Sequence, residues 1–435
     1  MPNAESAPVS DGEAADLFAP LRDRAGVALA VSGGSDSSAL LVLYARARAV
    51  DPRLPPATVF TVDHRLRPEA AEEARSVAAL AARHGLPHRT LVWEGEKPTG
   101  DLQARARRAR YDLLLDAARA LGLDALVIAH HAEDQAETFL ARLARGSGVV
   151  GLAAMRPHRL VEGIRLARPF LDLPKARLIA TLEAIGETWI DDPSNRDRRF
   201  DRTRLRAAAP LLADLGLTRD RLVATARAMA RAAEAIERDV DAALAAVAAH
   251  PAGWASFDPA DIGRCPEEVR LRLLSRLLRA VGGADYGPRL EALTPLASAL
   301  FDRPDADFAA RTLAGARLER RGGRIWIAAE RGRDGGSTTS LVPGGRGRFR
   351  GRRVELAVEA PSPVTVAALG AEGRRAIVDR LDPGRLGRWR PTAVVVESAP
   401  AVFVDGGLVA CPVLGYEGDA RRRWGDLLRL APWSV

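Results

Sequence analysis

The chain has 435 residues, a formal net charge of +8 and 47% hydrophobic residues. That length suits about two to four domains, each with its own core. No apolar stretch reaches the ~20 residues of a membrane span, and the acidic first dozen residues fit neither a secretory nor a transit peptide, so a cytoplasmic location is expected. The two cysteines, Cys265 and Cys411, lie outside any C-x-x-C pattern, which excludes a disulfide, zinc-ribbon or iron–sulfur scaffold.

Short apolar runs alternate with amphipathic stretches in the first third of the chain. In order, these segments are Val27–Val31, Asp36–Ala49, Ala57–Val62, Glu69–His84, His88–Trp93, Leu102–Leu121, Ala125–Ala129 and Glu133–Ala144. Such β-α alternation predicts an α/β fold, a parallel twisted sheet with helices on both faces. Ligands of such sheets bind at the carboxyl ends of the strands.

The loop after the first run, residues 32–37, reads Ser-Gly-Gly-Ser-Asp-Ser and opens into a helix. Gly33 and Gly34 permit the φ > 0 geometry that turns successive N–H groups inward, and the helix start adds unpaired N–H groups and a positive dipole end. An ordinary turn is the alternative. We predict a pyrophosphate cradle, with Asp36 holding Mg²⁺ at its rim. Its residues are Ser32, Gly33, Gly34, Ser35, Asp36 and Ser37.

A second polar string, His130-His-Ala-Glu-Asp-Gln-Ala-Glu137, follows the fourth run and opens another helix. A polar first turn that complements the helix dipole is the alternative, and a zinc site lacks its H-E-x-x-H. Asp134 and Glu137 lie three residues apart on one helical face, which in a parallel sheet looks back toward the loop at 32–37. Asp63 and His64 end the second run, so three features converge on one edge of the sheet.

The pattern changes after residue 145. Gly146–Gly151 satisfies G-x-G-x-x-G but follows a helix, so it predicts a flexible loop and not a dinucleotide site. Residues 169–174 begin a short helix ending at Gly186, and helical stripes run from about Leu211 to Leu300. Alternating runs at Val354–Val358, Ala393–Val396 and Ala401–Val404 then predict strands. We predict three domains: 1–212 with its core from about residue 25, a helical domain at 213–330, and a small α+β, Arg-rich domain at 331–435.

Three arginine clusters flank aromatic residues in the last third of the chain. They are Arg346–Arg353, Arg385–Arg390 and Arg421–Trp424. Arginine beside an aromatic ring pairs phosphate charge with base stacking, which is typical of RNA contacts. Basic surface turns are the alternative for any one cluster, and the three together favour RNA.

The loop at 32–37 resembles the signature of the N-type ATP pyrophosphatases, the PP-loop family, whose members adenylate an oxygen and release pyrophosphate. A Walker A loop is excluded, because neither of the two lysines, Lys97 and Lys175, follows a glycine. The string from His130 to Gly148 resembles one PP-loop subfamily, the tRNA(Ile)-lysidine synthases. Further matching segments are Val62–Arg67, Ala106–Tyr111, Arg168–Phe170, Trp189–Asn195, Phe200, Arg202 and Arg206. The resemblance is strong over about 25–212, with departures at Glu133, commonly Asp in the family, and Thr203, commonly Asn.

This resemblance implies an ATP- and Mg²⁺-dependent carbon–nitrogen ligase. Its expected partners are L-lysine and a tRNA(Ile) with a CAU anticodon, whose wobble cytidine is adenylated at C2 before lysine displaces AMP. The helical domain at 213–330 is expected to bind this tRNA. A lysine amine, with a pKa of ~10.4, must lose a proton before it attacks, so Asp134 is the candidate base and Glu137 the candidate holder of the lysine. Arg107 and Arg110 are expected to stabilise the adenylate phosphate or bind RNA. His130 is a further candidate catalytic residue.

Other classes are weighed by what their chemistry needs. A tRNA-thiolating PP-loop enzyme requires a persulfide cysteine or a cluster, and residues 1–264 contain no cysteine. A glutamine-fed amidotransferase requires a nucleophilic cysteine or an N-terminal amide-hydrolase domain. A non-catalytic RNA-binding protein would tolerate loss of Asp36 and Asp134, and both are present. The oligomeric state stays open.

Overall fold

The computed structural model of the chain describes residues 6–65, 69–94, 102–190, 201–284, 287–302, 308–330, 338–350, 352–381, 391–418 and 424–430. The chain divides into two compact units, Met1–Ala233 and Glu234–Val435. In the described ranges, no helix is both long enough and apolar enough to cross a membrane. The division into three domains stays a prediction.

The first unit contains a mixed α/β arrangement. Its elements are α1 (Asp11–Phe18), β1 (Val27–Ala30), α2 (Ser35–Val50), β2 (Ala57–Asp63), α3 (Ala70–Arg83), β3 (His88–Val92), α4 (Leu102–Ala120), β4 (Ala125–Val127), α5 (Ala132–Leu143), α6 (Val149–Leu152), β5 (His158–Val161), β6 (Ile164–Ala167), α7 (Lys175–Glu183), α8 (Asp201–Asp214) and α9 (Arg219–Leu244), which continues past residue 233. The predicted strands and helices between residues 27 and 144 are thereby confirmed.

The sheet of this unit has the strand order β3-β2-β1-β4-β6-β5. Strand β1 pairs in parallel with both β2 and β4, so Leu29 lies opposite Val59 on one side and Val127 on the other. Strand β5 is antiparallel to β6. Sequence analysis missed this hairpin, whose two-residue turn places both Glu162 (φ 49°) and Gly163 (φ 84°) in the left-handed region, the geometry that matches strand twist.

Both faces of the sheet are covered, as predicted. Val27 and Leu29 of β1 share one buried core with residues of α1, α2, α3 and α7. Ala28 and Ala30 point the other way, into a core that includes residues of α4. Burial on both faces explains the near-continuous apolar run of β1. The polar residues that follow β1 and β4 therefore meet at the carboxyl edge of two adjacent strands.

Two predicted elements of the first unit differ in the structure. The helix expected from residue 169 begins only at Lys175, because Pro174 takes the extended N-cap position. The expected flexible loop at 146–151 includes the helical turn α6. Arg142 fixes that turn, since its Nη1 donates to the carbonyl oxygens of Gly151 and Ala154 at 2.8 Å each.

The second unit combines helices with three sheets among its described residues. Its elements are β7 (Ala248–His250), β8 (Trp254–Phe257), α10 (Pro259–Gly263), α11 (Glu267–Gly282), α12 (Leu290–Phe301), β9 (Arg311–Leu313), β10 (Ala316–Arg321), β11 (Arg324–Ala329), β12 (Thr339–Leu341), β13 (Arg346–Phe349), β14 (Arg352–Leu356), β15 (Val364–Ala368), α13 (Gly370–Ile377), α14 (Ala393–Glu397), β16 (Pro400–Val404), β17 (Gly407–Cys411), β18 (Tyr416–Glu417), α15 (Trp424–Leu427) and β19 (Leu428–Leu430). Strands therefore occur within the stretch predicted to be helical.

Of the three strands predicted in this unit, two are confirmed and the third is wrong. The runs at Val354–Val358 and Ala401–Val404 lie on β14 and β16, whereas Ala393–Val396 forms helix α14. Thr392 explains the difference, because its side chain accepts a hydrogen bond from Val395 N and caps the helix, which overrides the strand preference of three consecutive valines. Trp326 of β11 shares a buried core with residues 369–414, across the boundary predicted at 330/331.

Candidate active site

The loop between β1 and α2 has the form expected of an anion cradle. Helix α2 begins at Ser35 after Gly34, and no side chain caps its first turn, so the N–H groups there are suited to an anionic ligand. Gly33 has a φ of +89°, as predicted. The same prediction is wrong for Gly34, whose φ of −70° is ordinary extended backbone at an N-cap.

Serine side chains brace this loop from within. Ser32 N donates to Ser37 Oγ at 3.1 Å, and Ser37 Oγ donates to the Gly34 carbonyl at 3.0 Å. Ser38 Oγ donates to the Gly33 carbonyl at 3.2 Å. The carbonyl oxygens of the loop are thus turned toward side chains, which is compatible with N–H groups that face a ligand.

Ile190 holds the loop from behind. Its backbone N–H donates to the Gly33 carbonyl at 2.9 Å. A Cβ atom on Gly33 would lie 2.5 Å from Ile190 Cδ1 and 3.3 Å from Val77 Cγ2. The positive φ is the main reason for glycine at this position, and a Cβ atom would in addition displace the end of the Ile190 side chain.

Asp36 directly contacts the second polar segment, His130–Glu137. Its Oδ2 lies 3.5 Å from His131 Nε2 and 3.1 Å from Lys175 Nζ. Burial alone would raise the pKa of Asp36, but the hydrogen bond and charge of His131, together with the Lys175 ammonium, lower it to about 2. Asp36 is therefore an ionised carboxylate at neutral pH, with 27% of its side chain exposed.

His131 is a buried cation among carboxylates, with only 2% of its surface exposed. Its Nδ1 donates to Glu133 Oε2 at 2.9 Å, while Nε2 lies near Asp36 and 3.4 Å from Asp134 Oδ2. Burial alone would lower the pKa of His131, but hydrogen bonds to Asp36 and Glu133 and the charge of Asp134 raise it to about 10. An imidazolium in this position neutralises carboxylates from two different helices.

Glu133 connects this cation to two further elements. Its Oε2 accepts the backbone N–H of Lys175 at 3.0 Å, and its Oε1 lies 3.2 Å from Arg219 Nη1. Burial opposes ionisation, but His131 and the Lys175 N–H lower the pKa of Glu133 to about 2. One side chain on α5 thereby contacts the first turns of both α7 and α9.

Asp134 and Glu137 lie together, as their spacing predicts, and share Arg206 of α8. Arg206 Nη2 lies 3.6 Å from Asp134 Oδ1, and its Nε donates to Glu137 Oε1 at 2.5 Å. Asp134 Oδ2 also accepts the His131 backbone N–H at 3.2 Å. Burial alone would lower the pKa of Arg206. The hydrogen bond to Glu137 and its charge outweigh burial, so the pKa of Arg206 lies above its usual value.

A pocket of about 360 Å³ lies beside these groups, entirely within the first unit. Its charged lining consists of the carboxylates Glu133 and Glu137 and the cations His131, Lys175, Arg206 and Arg219. The remaining lining is apolar and comes from α5, α8, the residues between α8 and α9 and the start of α9, with the side chains Ala136, Leu140, Leu205, Ala209, Leu212, Leu217 and Leu222. A ligand that carries both an ammonium group and a carboxylate on an aliphatic stem matches this lining.

The other predicted site residues are placed as follows. His130 Nδ1 accepts a hydrogen bond from Arg168 Nε at 3.2 Å, which leaves the proton of a neutral ring on Nε2. Asp63 Oδ1 accepts the Arg65 backbone N–H at 2.7 Å at the end of β2. Arg110 lies on α4, as does Arg107, whose side chain is outside the described residues. Residues 191–200, 385–390 and 421–423 and the side chains of Arg202 and Thr203 are outside them as well.

The charged cluster at this site consists of Asp36, His131, Glu133, Asp134, Glu137, Lys175, Arg206 and Arg219. Sequence reasoning missed several of these residues. His131 is next to His130, the histidine that was predicted to be catalytic. Glu133 was noted only as a departure from the family pattern. Lys175 and Arg219 were not candidates, because they lie 139 and 86 residues from their partners Asp36 and Glu133. The position of Lys175 at the first turn of a helix after Pro174 was the available signal.

Comparison with known proteins defines the class and then the family. Residues 8–211 match the PP-loop domain model, in agreement with the sheet and the loop at 32–37, so the first unit contains a PP-loop domain. A tRNA(Ile)-lysidine synthase of Methylobacterium sp. (strain 4-46) is 49% identical over 312 residues, 70% of this chain and 89% of the relative. The tRNA(Ile)-lysidine synthase of Bradyrhizobium diazoefficiens is 46% identical over 349 residues, which cover 75% of this chain and 96% of the relative. That of Ruegeria pomeroyi is 39% identical over 388 residues, which cover 89% of this chain and 88% of the relative. The chain belongs to the tRNA(Ile)-lysidine synthase family.

The two loop glycines give a matched pair of substitutions. Gly33→Ala is expected to destabilise the protein by about 1–3 kcal/mol, because a side chain is strained at φ +89° and meets Ile190. Gly34→Ala meets no atom within 4 Å and keeps an ordinary φ, so its cost is below about 1 kcal/mol. Urea unfolding of the full chain measures both. Equal effects of the two substitutions would contradict the assigned role of Gly33.

The raised pKa of His131 predicts a stability change at alkaline pH. Because the pKa rises from 6.5 to about 10 on folding, the stabilisation is complete below pH 6.5 and is lost as the pH rises toward 10. We expect His131→Gln to be less stable than the parent at pH 6, with a gap that narrows toward pH 10. The measurement is urea unfolding of both proteins at several pH values. A gap that does not depend on pH would show that His131 is not the charged member of the cluster.

Proposed function

We propose that this chain is an ATP-dependent ligase that converts the wobble cytidine of a CAU-anticodon tRNA(Ile) to lysidine, releasing AMP and pyrophosphate. One observation carries the proposal. In a member of this family, Asp36 on the loop that suits a pyrophosphate lies beside Asp134 and Glu137 of α5, through contacts with His131 and Arg206. Adenylation and amine attack require these two kinds of group at one place.

ATP fits the loop through its phosphates. The uncapped first turn of α2 offers N–H donors and a positive dipole end. Mg²⁺ usually takes one or two carboxylates and completes its shell with phosphate oxygens and water, and Asp36 is ionised and partly exposed. In the described ranges, no group of three or more His, Cys, Asp or Glu side chains is arranged to hold a metal, so Asp36 would hold it with the nucleotide. There the ion would neutralise charge on the departing pyrophosphate.

Free L-lysine fits the pocket beside α5. Its aliphatic stem suits the wall of leucines and alanines, its ammonium groups suit Glu133 and Glu137, and its carboxylate suits Arg206 and Arg219. Glu137 has only 7% of its side chain exposed and holds Arg206. Because a buried carboxylate needs a cation, an entering ammonium that joins Arg206 at Glu137 keeps this charge paired.

Asp134 is the residue proposed to accept the proton of the lysine amine. It lies between the loop side of the cluster, through His131, and the pocket side, through Arg206. Its hydrogen bond from the His131 backbone N–H holds the carboxylate in place at the start of α5. A carboxylate fixed between the two substrates is suited to general-base catalysis.

The tRNA is proposed to contact arginines beyond the first unit, though not every predicted arginine is suited to this. In the cluster at 346–353, Arg350 is mostly buried and donates from Nη1 to the Ser398 carbonyl at 2.8 Å. Burial lowers its pKa to about 10. Arg346 keeps 58% of its side chain exposed and is the better candidate for a phosphate contact.

The thiolation alternative is not supported by the cysteines. Cys411 is buried on β17, and burial raises the pKa of its thiol to about 12, whereas persulfide chemistry requires an accessible thiolate. Cys265 is a partly buried member of the apolar core around α11 and α12. Both cysteines belong to the second unit, whereas Asp36, Asp134 and Glu137 belong to the first.

Asp134→Asn is expected to separate the two half-reactions. The amide keeps an oxygen to cap α5 but cannot take the proton of the amine. Adenylated tRNA should therefore accumulate, while lysine incorporation falls by a factor on the order of 10²–10⁴. Pyrophosphate release and incorporation of labelled lysine measure the two steps. An equal loss in both would indicate a structural or metal-binding role instead.

The substrate assignment is tested with two tRNAs that share the CAU anticodon. The full-length chain, given ATP and lysine, is expected to modify the isoleucine tRNA and to leave the methionine tRNA unmodified. Because the reacting base is the same in both, discrimination must come from contacts outside it, each contributing ~1–3 kcal/mol. Equal lysine transfer to both would refute the assignment, and pyrophosphate release without lysine incorporation would point to another PP-loop reaction.

A further inference from the structure

The loop proposed to bind pyrophosphate contains no cationic side chain. Residues 32–37 include neither lysine nor arginine. The N-terminus of α2 contributes the equivalent of only about half a positive charge, which is small beside the charge of a triphosphate. Sites for phosphoryl groups generally add Lys, Arg or metal cations to such a loop. The additional charge therefore has to come from a metal ion, from cationic residues elsewhere in the unit, or from both.

Among the described residues, four cationic side chains lie in the charged cluster next to this loop, and three of them contact more than one carboxylate. His131 is buried and contacts Asp36, Glu133 and Asp134. The guanidinium groups are held by pairs of carboxylates: Arg206 by Asp134 and Glu137, and Arg219 by Glu133 and Asp220. Moving any of these cations to a phosphate would break several ion pairs.

Lys175 differs from those three cations. Its ammonium contacts a single carboxylate, Asp36, at 3.1 Å, and 39% of its side chain is exposed. Its backbone is fixed, because Lys175 begins α7 and its N–H donates to Glu133. A fixed backbone with a charged head on a flexible four-carbon stem suits a residue that exchanges partners.

We infer that Lys175 binds the phosphate chain of ATP, as the mobile cation that the loop at 32–37 lacks. This inference rests on the proposed function. When the nucleotide enters, the ammonium moves from Asp36 Oδ2 to phosphate oxygens, and that oxygen becomes open to a metal ion that arrives with the nucleotide. Asp36 is not left unpaired by the exchange, since His131 Nε2 remains 3.5 Å from the same oxygen.

The charges of the cluster support this exchange. The carboxylates Asp36, Glu133, Asp134 and Glu137, with Asp220 beside Arg219, face the cations His131, Lys175, Arg206 and Arg219. Because these carboxylates already pair with all four cations, an added ATP anion requires a cation that can move toward it and a further cation that arrives with the nucleotide. Lys175 meets the first requirement, and Mg²⁺ at Asp36 meets the second.

The test compares binding of nucleotides with and without a β-phosphate to the full-length protein. The probes are AMP and an ATP analogue with a methylene bridge between its α- and β-phosphates, each titrated calorimetrically with Mg²⁺ present. Lys175→Met is expected to weaken binding of the analogue about tenfold to a hundredfold, as for a lost charge-assisted hydrogen bond. AMP affinity should change by less than about threefold, and Lys175→Arg should restore most of the affinity for the analogue.

Arg177→Met is the matched control. It removes a cation from the same helix, but Arg177 binds Glu13 and the Ala7 carbonyl, away from Asp36. Its affinity for the analogue should equal that of the parent. The inference is overturned if Lys175→Met binds the analogue as well as the parent does, or if it loses affinity for AMP and the analogue equally. If the parent itself fails to bind the analogue, the proposed function falls, and the inference with it.

Discussion

The buried imidazolium of His131 is the interaction on which the candidate site depends. Carboxylates from α2 and α5 converge at the carboxyl edge of β1 and β4, where they would repel one another if they were left unpaired. His131 follows β4 and contacts three of them within 3.5 Å. Its contact with Glu133 extends the network to α7 and α9. The chemistry of the site and the packing of four helices therefore share one set of charges.

Charges of this kind stabilise the site only as a set. Each buried carboxylate loses hydration on folding, and a single partner rarely compensates fully. Here the cations arrive from four places along the chain, at His131, Lys175, Arg206 and Arg219. Removal of one member leaves a charge exposed to repulsion from the others, so effects of substitutions within this cluster should be strongly non-additive.

The sequence predicts the sheet well and the cluster only in part. Strands buried on both faces and amphipathic helices leave periodic signals, so residues 27–144 were predictable. Asp36 and Asp134 were predictable because parallel strands bring their ends together. Lys175 was not, because no local pattern records a contact across 139 residues. The choice of His130 over His131 failed to identify the buried ring, because which of two adjacent side chains turns inward depends on how the chain leaves β4.

Helix α8 forms part of the pocket wall and is itself largely exposed. Its apolar residue Leu211 is 65% exposed, and Leu215, just after the helix, is 72% exposed, while Arg206 anchors it to Glu137 and Asp134. Helices with little buried area open locally at far smaller free-energy cost than the core does. Backbone amides of α8 should therefore exchange with solvent sooner than those of α2, whose residues are largely buried. Entry to the pocket would then be governed by the local stability of one helix.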